Sequence, residues 1–275
     1  MTSQTPESLA VPAWPYLGAL EYVDAYVKSQ IYSDVADYSR VYAGAYIVAD
    51  WAHRVLGAEL ADWEFGSHIP PGCESKLRCG WNMGASRFYR YLCRLSRVCG
   101  RAWEKRPIFL NRRFSTPERD KVPKWEWYHD YRRFCGLKAA TLGDRFCITG
   151  NQPLKRAKYI RELWSSRVAF SPFGWGEVCF RDFEAVACGA VLLKPDMSHL
   201  RTEPNIYESW VTYVPVNWDL SNLEERCQWI VDHPAESVRM VENARNRLLS
   251  FRADLAVVTV AAQNRHRQCA SSEGL

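Results

Sequence analysis

Ser171 to Lys194 read SPFGWGEVCFRDFEAVACGAVLLK, and this stretch decides the fold that we expect. It begins at a strand end, continues through a glycine-rich loop formed by Gly174, Trp175 and Gly176, and then enters an amphipathic segment typical of a helix. A further glycine closes that helix before an aliphatic run typical of a buried strand. Because free N–H groups and the helix dipole both favour an anion, the loop and helix together predict a phosphate site.

Two charged side chains near the start of this helix are the candidate ligands. Arg181 could hold a phosphate through two parallel hydrogen bonds, and Glu184 could accept hydrogen bonds from two neighbouring ribose hydroxyls. Their spacing places both side chains on one helix face. The same spacing is typical of a surface ion pair between positions i and i+3, so both interpretations stay open at this point.

The sequence around this stretch alternates short apolar strands with helices. Such an alternation predicts a parallel, doubly wound sheet, which binds ligands at the carboxyl ends of its strands. The predicted strands are Pro107–Asn111, Asp144–Gly150, Val168–Ser171, Ala190–Lys194 and Val211–Val216. The predicted helices are Trp125–Phe134, Leu154–Ser166, Cys179–Cys188, Leu220–Asp232 and Ala235–Phe251.

The N-terminal part of the chain has a different pattern. Residues 1–12 form a polar lead, and apolar residues at three- and four-residue spacing predict helix over Tyr16–Leu60. A loop rich in glycine, proline and serine follows at Gly66–Ser75. We therefore expect an α/β protein in which a smaller, largely helical N-terminal region, residues 1–106, precedes a Rossmann-like domain with a parallel sheet, residues 107–275.

A stripe of arginines marks a helix predicted over Ser86–Arg106. The arginines alternate steps of three and four residues and so line one face of the helix. A solvated basic face is the simplest interpretation, and contact with anionic lipid headgroups or with nucleic acid are the alternatives. The chain carries no recognisable nucleic-acid motif, so we expect no nucleic-acid partner. The stripe comprises Arg87, Arg90, Arg94, Arg97 and Arg101.

Composition and charge suit a globular protein with an anionic partner. The net charge is +5 and the isoelectric point is about 8.6, which favours a nucleotide diphosphate or an anionic surface. The 10 cysteines form no C-x-x-C pair, and several lie in apolar runs, so we expect reduced thiols. The sequence shows no signal peptide and no apolar stretch of membrane-spanning length. We expect a cytoplasmic protein, with at most a peripheral contact at the inner face of a membrane.

Three motifs resemble known glycosyltransferases. Arg181-x-x-Glu184-Ala185 followed by Gly189 resembles the donor-site signature of exostosin-type enzymes. The same spacing, with AVLLK after it and YVPVNWDLSNLEE at residues 213–225, resembles the protein O-glucosyltransferase and capsule-associated family. The pattern E-A-x-A-C-G is shared with GT-B enzymes broadly. The resemblance covers residues 107–251 and implies a GT-B-like domain that binds a nucleoside diphosphate sugar.

This resemblance also implies roles for individual residues. Glu184 would hold the nucleotide ribose, and Arg181 would hold the diphosphate beside the glycine-rich loop. Arg112 and Arg113 follow the first predicted strand, where similar folds place a phosphate-binding residue; a solvated turn is the equal alternative. Lys155 and Arg156 are secondary candidates, because basic residues at such a position are more often solvated.

The catalytic residues are not identified by the sequence, and Glu177 and His199 are the candidates. Retaining GT-B enzymes often carry two glutamates separated by seven residues, but here the first of these positions holds Gly176 and the glutamate lies one place later. The stereochemical outcome is therefore open. Further candidate bases are Asp196, His129 and His68. No D-x-D metal motif is present, so we expect no metal and no cofactor, and the nucleoside diphosphate sugar acts as co-substrate.

The sequence thus predicts a glycosyltransferase whose acceptor is a glycan, a lipid-linked saccharide or a protein. The segment before Pro107 is short for a complete acceptor domain, so a non-catalytic module that binds sugar nucleotides is the first alternative. A nucleic-acid-binding protein that uses the arginine stripe is the second alternative.

Overall fold

The computed structural model describes residues 17–60, 68–116 and 127–251. The polar lead at residues 1–12, the start of the loop predicted at residues 66–75 and the start of the helix predicted at residues 125–134 lie outside the described residues. Within the described part, the protein has an α/β fold with a parallel sheet, as the sequence predicts.

Short elements make up the N-terminal region. The helix expected over Tyr16–Leu60 is wrong except at its end, because residues 17–46 form 3-10 turns and two three-residue strands. The apolar side chains that produced the helical spacing instead fill a small core that includes Leu20, Ile31 and Tyr38. The elements are strands β1 (Tyr26–Lys28), β2 (Gln30–Tyr32) and β3 (Leu77–Cys79) and helices α1 (Ile47–Leu56) and α2 (Arg87–Cys99).

Helix α2 begins where the sequence predicts and ends earlier. The Ser86 hydroxyl oxygen accepts a hydrogen bond from the N–H of Phe88, which caps the first turn. Gly100 adopts an extended conformation and ends the helix, and a 3-10 turn at Trp103–Lys105 follows. The predicted end at Arg106 is therefore wrong, because glycine has a low helix propensity and here leaves the helical conformation.

Four parallel strands form the main sheet, in the order β4, β5, β6, β8. Strand β7 lies outside this sheet and pairs antiparallel with β2 of the N-terminal region. The strands are β4 (Ile108–Asn111), β5 (Ser166–Phe170), β6 (Val191–Pro195), β7 (Leu200–Thr202) and β8 (Val214–Val216). The helices are α3 (Tyr128–Ala140), α4 (Arg156–Trp164), α5 (Phe180–Cys188), α6 (Leu223–Asp232) and α7 (Pro234–Ser250).

The strand predicted at Asp144–Gly150 is reduced to a single parallel bridge between Ile148 and Leu110 of β4. A 3-10 turn that runs to Asp144 leaves few residues for a strand before the chain turns again. The bridge lies on the edge of β4 that faces away from β5. After β4 the chain therefore pairs first with one edge of that strand, at Ile148, and then with the other edge, through β5. This reversal makes the carboxyl ends of β4 and β5 the topological switch point, where parallel sheets bind ligands.

The strand predicted at Val211–Val216 is also shorter than expected. Only its second half pairs with the sheet, because Trp210, with a φ of 63°, begins a turn that continues through Val211 and Thr212, whose N–H groups donate to the carbonyl of Glu208. A residue with a positive φ cannot continue an extended strand.

Helices α1 and α2 of the N-terminal region share one core with the sheet. Val48 and Ala52 of α1 and Leu92 of α2 are buried in the same hydrophobic cluster as β5, β6 and α5. Helix α2 packs against α5 and α7. The boundary predicted between residues 106 and 107 stays a prediction.

The described ranges contain nine cysteines, and none of these forms a disulfide. In the same ranges, no helix has the length and apolar character needed to cross a bilayer.

Candidate functional site

A cleft of about 1030 Å³ lies where the N-terminal region meets the carboxyl end of β5. The loop before α5 and the first turns of α5 form one wall, and residues 27–30 and 81–83 of the N-terminal region form the opposite wall. The predicted donor-binding residues Gly174, Trp175, Gly176, Arg181 and Glu184 all line this cleft.

The glycine-rich loop is shaped by close packing against α3. A Cβ atom at Gly174 would lie 2.6 Å from an Nη atom of Arg132, so no larger residue fits there without a shift. The Gly174 N–H donates to the carbonyl of Gly176 at 3.1 Å, which closes the loop on itself. The ring of Trp175 packs edge-on against Tyr128, with 5.6 Å between the ring centroids. The loop therefore brings its backbone close to the guanidinium of Arg132.

The N-terminus of α5 opens into the cleft and is capped from within the chain. The Cys179 N–H donates to a carboxylate oxygen of Asp182 at 2.9 Å. That carboxylate is fully buried, where it forms an ion pair with Lys194 at 3.1 Å and accepts a hydrogen bond from the Tyr207 hydroxyl at 2.7 Å. Because Lys194 compensates the charge of Asp182, the positive end of the helix dipole is not cancelled by this cap.

Two arginines line the cleft beside this helix end. The Arg181 guanidinium lies over the ring of Phe114, 5.5 Å from its centroid, and its buried Nε has no hydrogen-bond partner among the described residues. Arg132 donates from Nε to the carbonyl of Phe173 at 3.1 Å. Burial lowers the pKa of Arg132, and the positive charge of Arg181 acts in the same direction. Two positive charges that line one cleft favour an anion between them.

Glu184 lies on the same wall, one turn further along α5. Its carboxylate pairs with Arg156 of α4 at 3.2 Å rather than with Arg181, so the surface ion pair between positions i and i+3 does not form. Burial raises the pKa of Glu184, while the charge of Arg156 and a hydrogen bond from Tyr159 oppose that rise. The carboxylate is thus held in place by two neighbours at the edge of the cleft.

Arg112 and Arg113 do not line this cleft. Arg112 donates to the carbonyl of Thr149 at 3.1 Å, and Arg113 forms a largely buried ion pair with Glu162. Both arginines therefore connect the end of β4 to neighbouring segments, Arg112 to the segment at Thr149 and Arg113 to helix α4. Lys155, a secondary candidate, is exposed at the start of α4.

The two catalytic candidates lie together beneath the glycine-rich loop. His199 Nε2 lies 3.3 Å from a carboxylate oxygen of Glu177, and Gln30 of β2 donates to the other oxygen at 2.8 Å. Burial acts to raise the pKa of Glu177, but hydrogen bonds from His199 and Tyr46 and the charge of His199 outweigh it and leave the pKa lowered. Neither side chain lines the cleft, and Glu177 is fully buried. The pair joins the N-terminal region to the loop.

The other candidate bases have structural contacts of their own. Asp196 accepts hydrogen bonds from Tyr213 and from Ser198. A ring nitrogen of His68 bonds to the carbonyl of Tyr38 at the surface. His129 is buried in α3 and packs against the ring of Tyr128, and it does not line the cleft.

Several residues of the cleft were not predicted from the sequence. Arg132 lies within α3 and carries no motif, although its place beside a second arginine, Arg133, offered a weak signal. Lys28 and Trp81 come from the N-terminal region and have no signal at all. Burial lowers the pKa of Lys28 to about 8, against the charge of Glu177, which acts to raise it.

The arginines of the stripe fall into two groups, those that make contacts within the protein and those that are exposed. Arg97 forms an ion pair with Glu242 of α7 at 2.6 Å, and Arg90 donates to the carbonyls of Ala85 and Phe251. The remaining members of the stripe, Arg87, Arg94 and Arg101, are exposed.

No group of three or more histidine, cysteine, aspartate or glutamate side chains is arranged to hold a metal ion within residues 17–60, 68–116 and 127–251. Metal independence of the reaction stays a prediction.

Comparison with known proteins identifies the family. A family model described as glycosyl transferase-like matches residues 97–253, which is more than half of the 275-residue chain. The chain therefore belongs to this glycosyl transferase-like family. No curated protein matches the sequence. The narrower resemblance to the exostosin and protein O-glucosyltransferase families stays a prediction.

Proposed function

We propose that this protein transfers a sugar from a nucleoside diphosphate sugar to a glycan, a lipid-linked saccharide or a protein, in the manner of a GT-B enzyme. The observation that carries the proposal is the convergence of Arg132, Arg181, the α5 N-terminus and Glu184 on one cleft. The guanidinium groups and the helix dipole suit a diphosphate, and a buried carboxylate one turn away suits the adjoining ribose.

The chemistry required of such a site is stabilisation of a departing nucleoside diphosphate. Positive groups that are already oriented stabilise the negative charge that develops on the leaving diphosphate, because they need not move during the reaction. Their effect is largest where water is excluded. Arg132 and Arg181 are both held by contacts with aromatic rings or backbone, so their charges are oriented before a donor binds. The sugar would then extend toward the wall formed by residues 27–30, with the acceptor entering from that side.

Calorimetric titration with UDP and GDP tests the donor site. Arg181→Ala and Arg132→Ala should each weaken binding by about 1.5–3 kcal/mol, the range for hydrogen bonds to charged groups. Arg133→Ala is the matched control for the second variant, because Arg133 pairs with Asp130 at 2.7 Å and does not line the cleft. Equal affinities for the parent and both cleft variants would contradict the assignment.

A transfer assay then separates an enzyme from a binding module. Release of nucleoside diphosphate from the donor in the presence of a glycan or lipid-linked acceptor supports catalysis. Tight nucleotide binding with no release across a broad acceptor panel supports the non-catalytic alternative. Contact of Arg87, Arg94 and Arg101 with anionic lipid stays a prediction, which vesicle co-sedimentation tests.

A further inference from the structure

A second groove, of about 560 Å³, adjoins the cleft and has no assigned role. The rings of Phe88 and Tyr89 from α2 and of Phe180 from α5 line it, together with Met83 and the Arg156–Glu184 ion pair. The groove is therefore aromatic on its sides and charged at one end, whereas the cleft carries the two arginines.

Glu184 stands where the two cavities meet. It lines both of them, as do Met83 and Phe180, whereas Arg132 and Arg181 line the cleft and not this groove. In a nucleoside diphosphate the base and the diphosphate leave the ribose from opposite ends. A ribose held by Glu184 with its diphosphate toward Arg181 therefore directs its base into the groove.

The side chains of the groove suit a flat aromatic ligand. The ring of Phe180 is 65% exposed and that of Phe88 is 39% exposed, which leaves faces on which a base can stack. The Arg156 guanidinium lies over one face of the Phe88 ring, 4.9 Å from its centroid, and adds a flat cationic surface beside it. Both phenylalanines lie in the first turns of helices that pack against each other, so the rings are held on rigid backbone.

We infer that the groove between Phe88 and Phe180 is the nucleobase subsite of the donor. The inference rests on the proposed function and adds to it that the N-terminal region, through α2, takes part in nucleotide recognition. The sugar of the donor and the acceptor would then bind at the opposite end of the cleft.

A neighbouring groove of about 440 Å³ is the rival location. Residues 113–116 and 151–154 line it, and it shares Tyr159 and Arg181 with the cleft. Glu184 does not line it, although Tyr159, which hydrogen-bonds to Glu184, does, so the two grooves flank the proposed ribose position and the variants below decide between them.

Calorimetric titration of five variants with UDP and GDP tests the assignment. Phe88→Ala and Phe180→Ala should each lower the affinity by about tenfold to hundredfold, as expected for loss of a base–aromatic stack. Tyr91→Ala removes a 62% exposed ring of the same helix outside the groove and should leave affinity unchanged. Leu154→Ala probes the rival groove and should also have no effect. Phe88→Tyr keeps a ring and should retain binding.

Competition by inorganic pyrophosphate against a labelled nucleotide is the second readout. Phe88→Ala should reduce nucleotide affinity without changing the pyrophosphate inhibition constant, whereas Arg181→Ala should weaken both. Normal nucleotide binding by both phenylalanine variants, or a loss confined to Leu154→Ala, would overturn the subsite while the proposed function stands. Absence of any nucleotide binding to the parent protein would overturn both.

Discussion

Glu184 combines burial with a partner on a neighbouring helix. A carboxylate in such a place remains available to ribose hydroxyls only while it is ionised. Arg156 and Tyr159 favour the ionised form, and burial opposes it strongly enough to leave the pKa raised. For the proposed donor site, this balance predicts that binding is sensitive to acidic pH.

Affinity for UDP-glucose should therefore fall as the pH is lowered from neutral into the weakly acidic range. The sign follows from the raised pKa: below it the carboxyl group is protonated and loses its capacity to accept hydrogen bonds from both ribose hydroxyls. Titration calorimetry at a series of pH values measures the effect. Glu184→Gln should bind more weakly at neutral pH and show a flatter profile; an unchanged profile in this variant would assign the pH dependence to another group.

Lys28 of the N-terminal region lines the same cleft as Arg132 and Arg181. Its ammonium lies 5.4 Å from the centroid of the Tyr38 ring, and burial lowers its pKa to about 8. A charge that titrates so near neutrality adds to anion binding only on the acidic side of that value.

Nucleotide affinity should accordingly decline as the pH rises through about 8, where Lys28 loses its proton. In Lys28→Met the decline should be absent and affinity at neutral pH should be lower. Equilibrium binding of UDP-glucose at several alkaline pH values checks this. Identical profiles for parent and variant would show that Lys28 does not act on the bound anion.

Helix α5 is capped at both of its ends by buried charge. At the C-terminal end Arg106 donates to the carbonyls of Cys188 and Gly189, and Arg245 donates to those of Val186 and Ala187. Burial lowers the pKa of Arg106 to about 10. These contacts satisfy the last carbonyls of the helix and hold it on the sheet.

Gly189 is the position at which this cap tolerates no side chain. Its φ is 76°, and a Cβ atom would lie 2.3 Å from an Nη atom of Arg245. Gly189→Ala should lower the free energy of unfolding by about 2 kcal/mol or more, measured by urea denaturation. Gly150→Ala is the control, since a Cβ there meets open space and the effect should be within about 0.5 kcal/mol. Similar losses in the two variants would contradict this account.

The whole molecule depends on contact between its N-terminal and C-terminal parts. Strand β2 pairs with β7, and α2 packs against α5. Gln30 donates a hydrogen bond to Glu177 beneath the glycine-rich loop. One wall of the cleft belongs to each part, so the site exists only when both are folded together.

Tyr89→Ala tests this coupling. Tyr89 is 4% exposed and packs against Phe183 of α5, with 5.5 Å between ring centroids. Its truncation should destabilise the protein by about 3–5 kcal/mol in one cooperative transition, seen alike by fluorescence and circular dichroism. Tyr91→Ala on the exposed face of α2 should have little effect. A second transition with the sheet unshifted would instead indicate two independent domains.

The sequence by itself determined most elements of the parallel sheet and the helix that follows the glycine-rich loop. Strands β4, β5 and β6, helix α5 and its end at Gly189 follow from local apolar periodicity and from glycine, which act over a few residues. The same local rules predicted that Arg181 and Glu184 share a helix face and that a ligand site lies at the carboxyl ends of the strands.

Only the tertiary structure decided which distant segments complete the cleft. Arg132 comes from α3, Lys28 and Trp81 come from short strands and turns, and Glu177 meets His199 below the loop. The apolar residues of the N-terminal region have helical spacing, but they fill a small core between 3-10 turns and short strands. Contacts between segments far apart in the chain depend on packing of whole elements, which local periodicity does not encode.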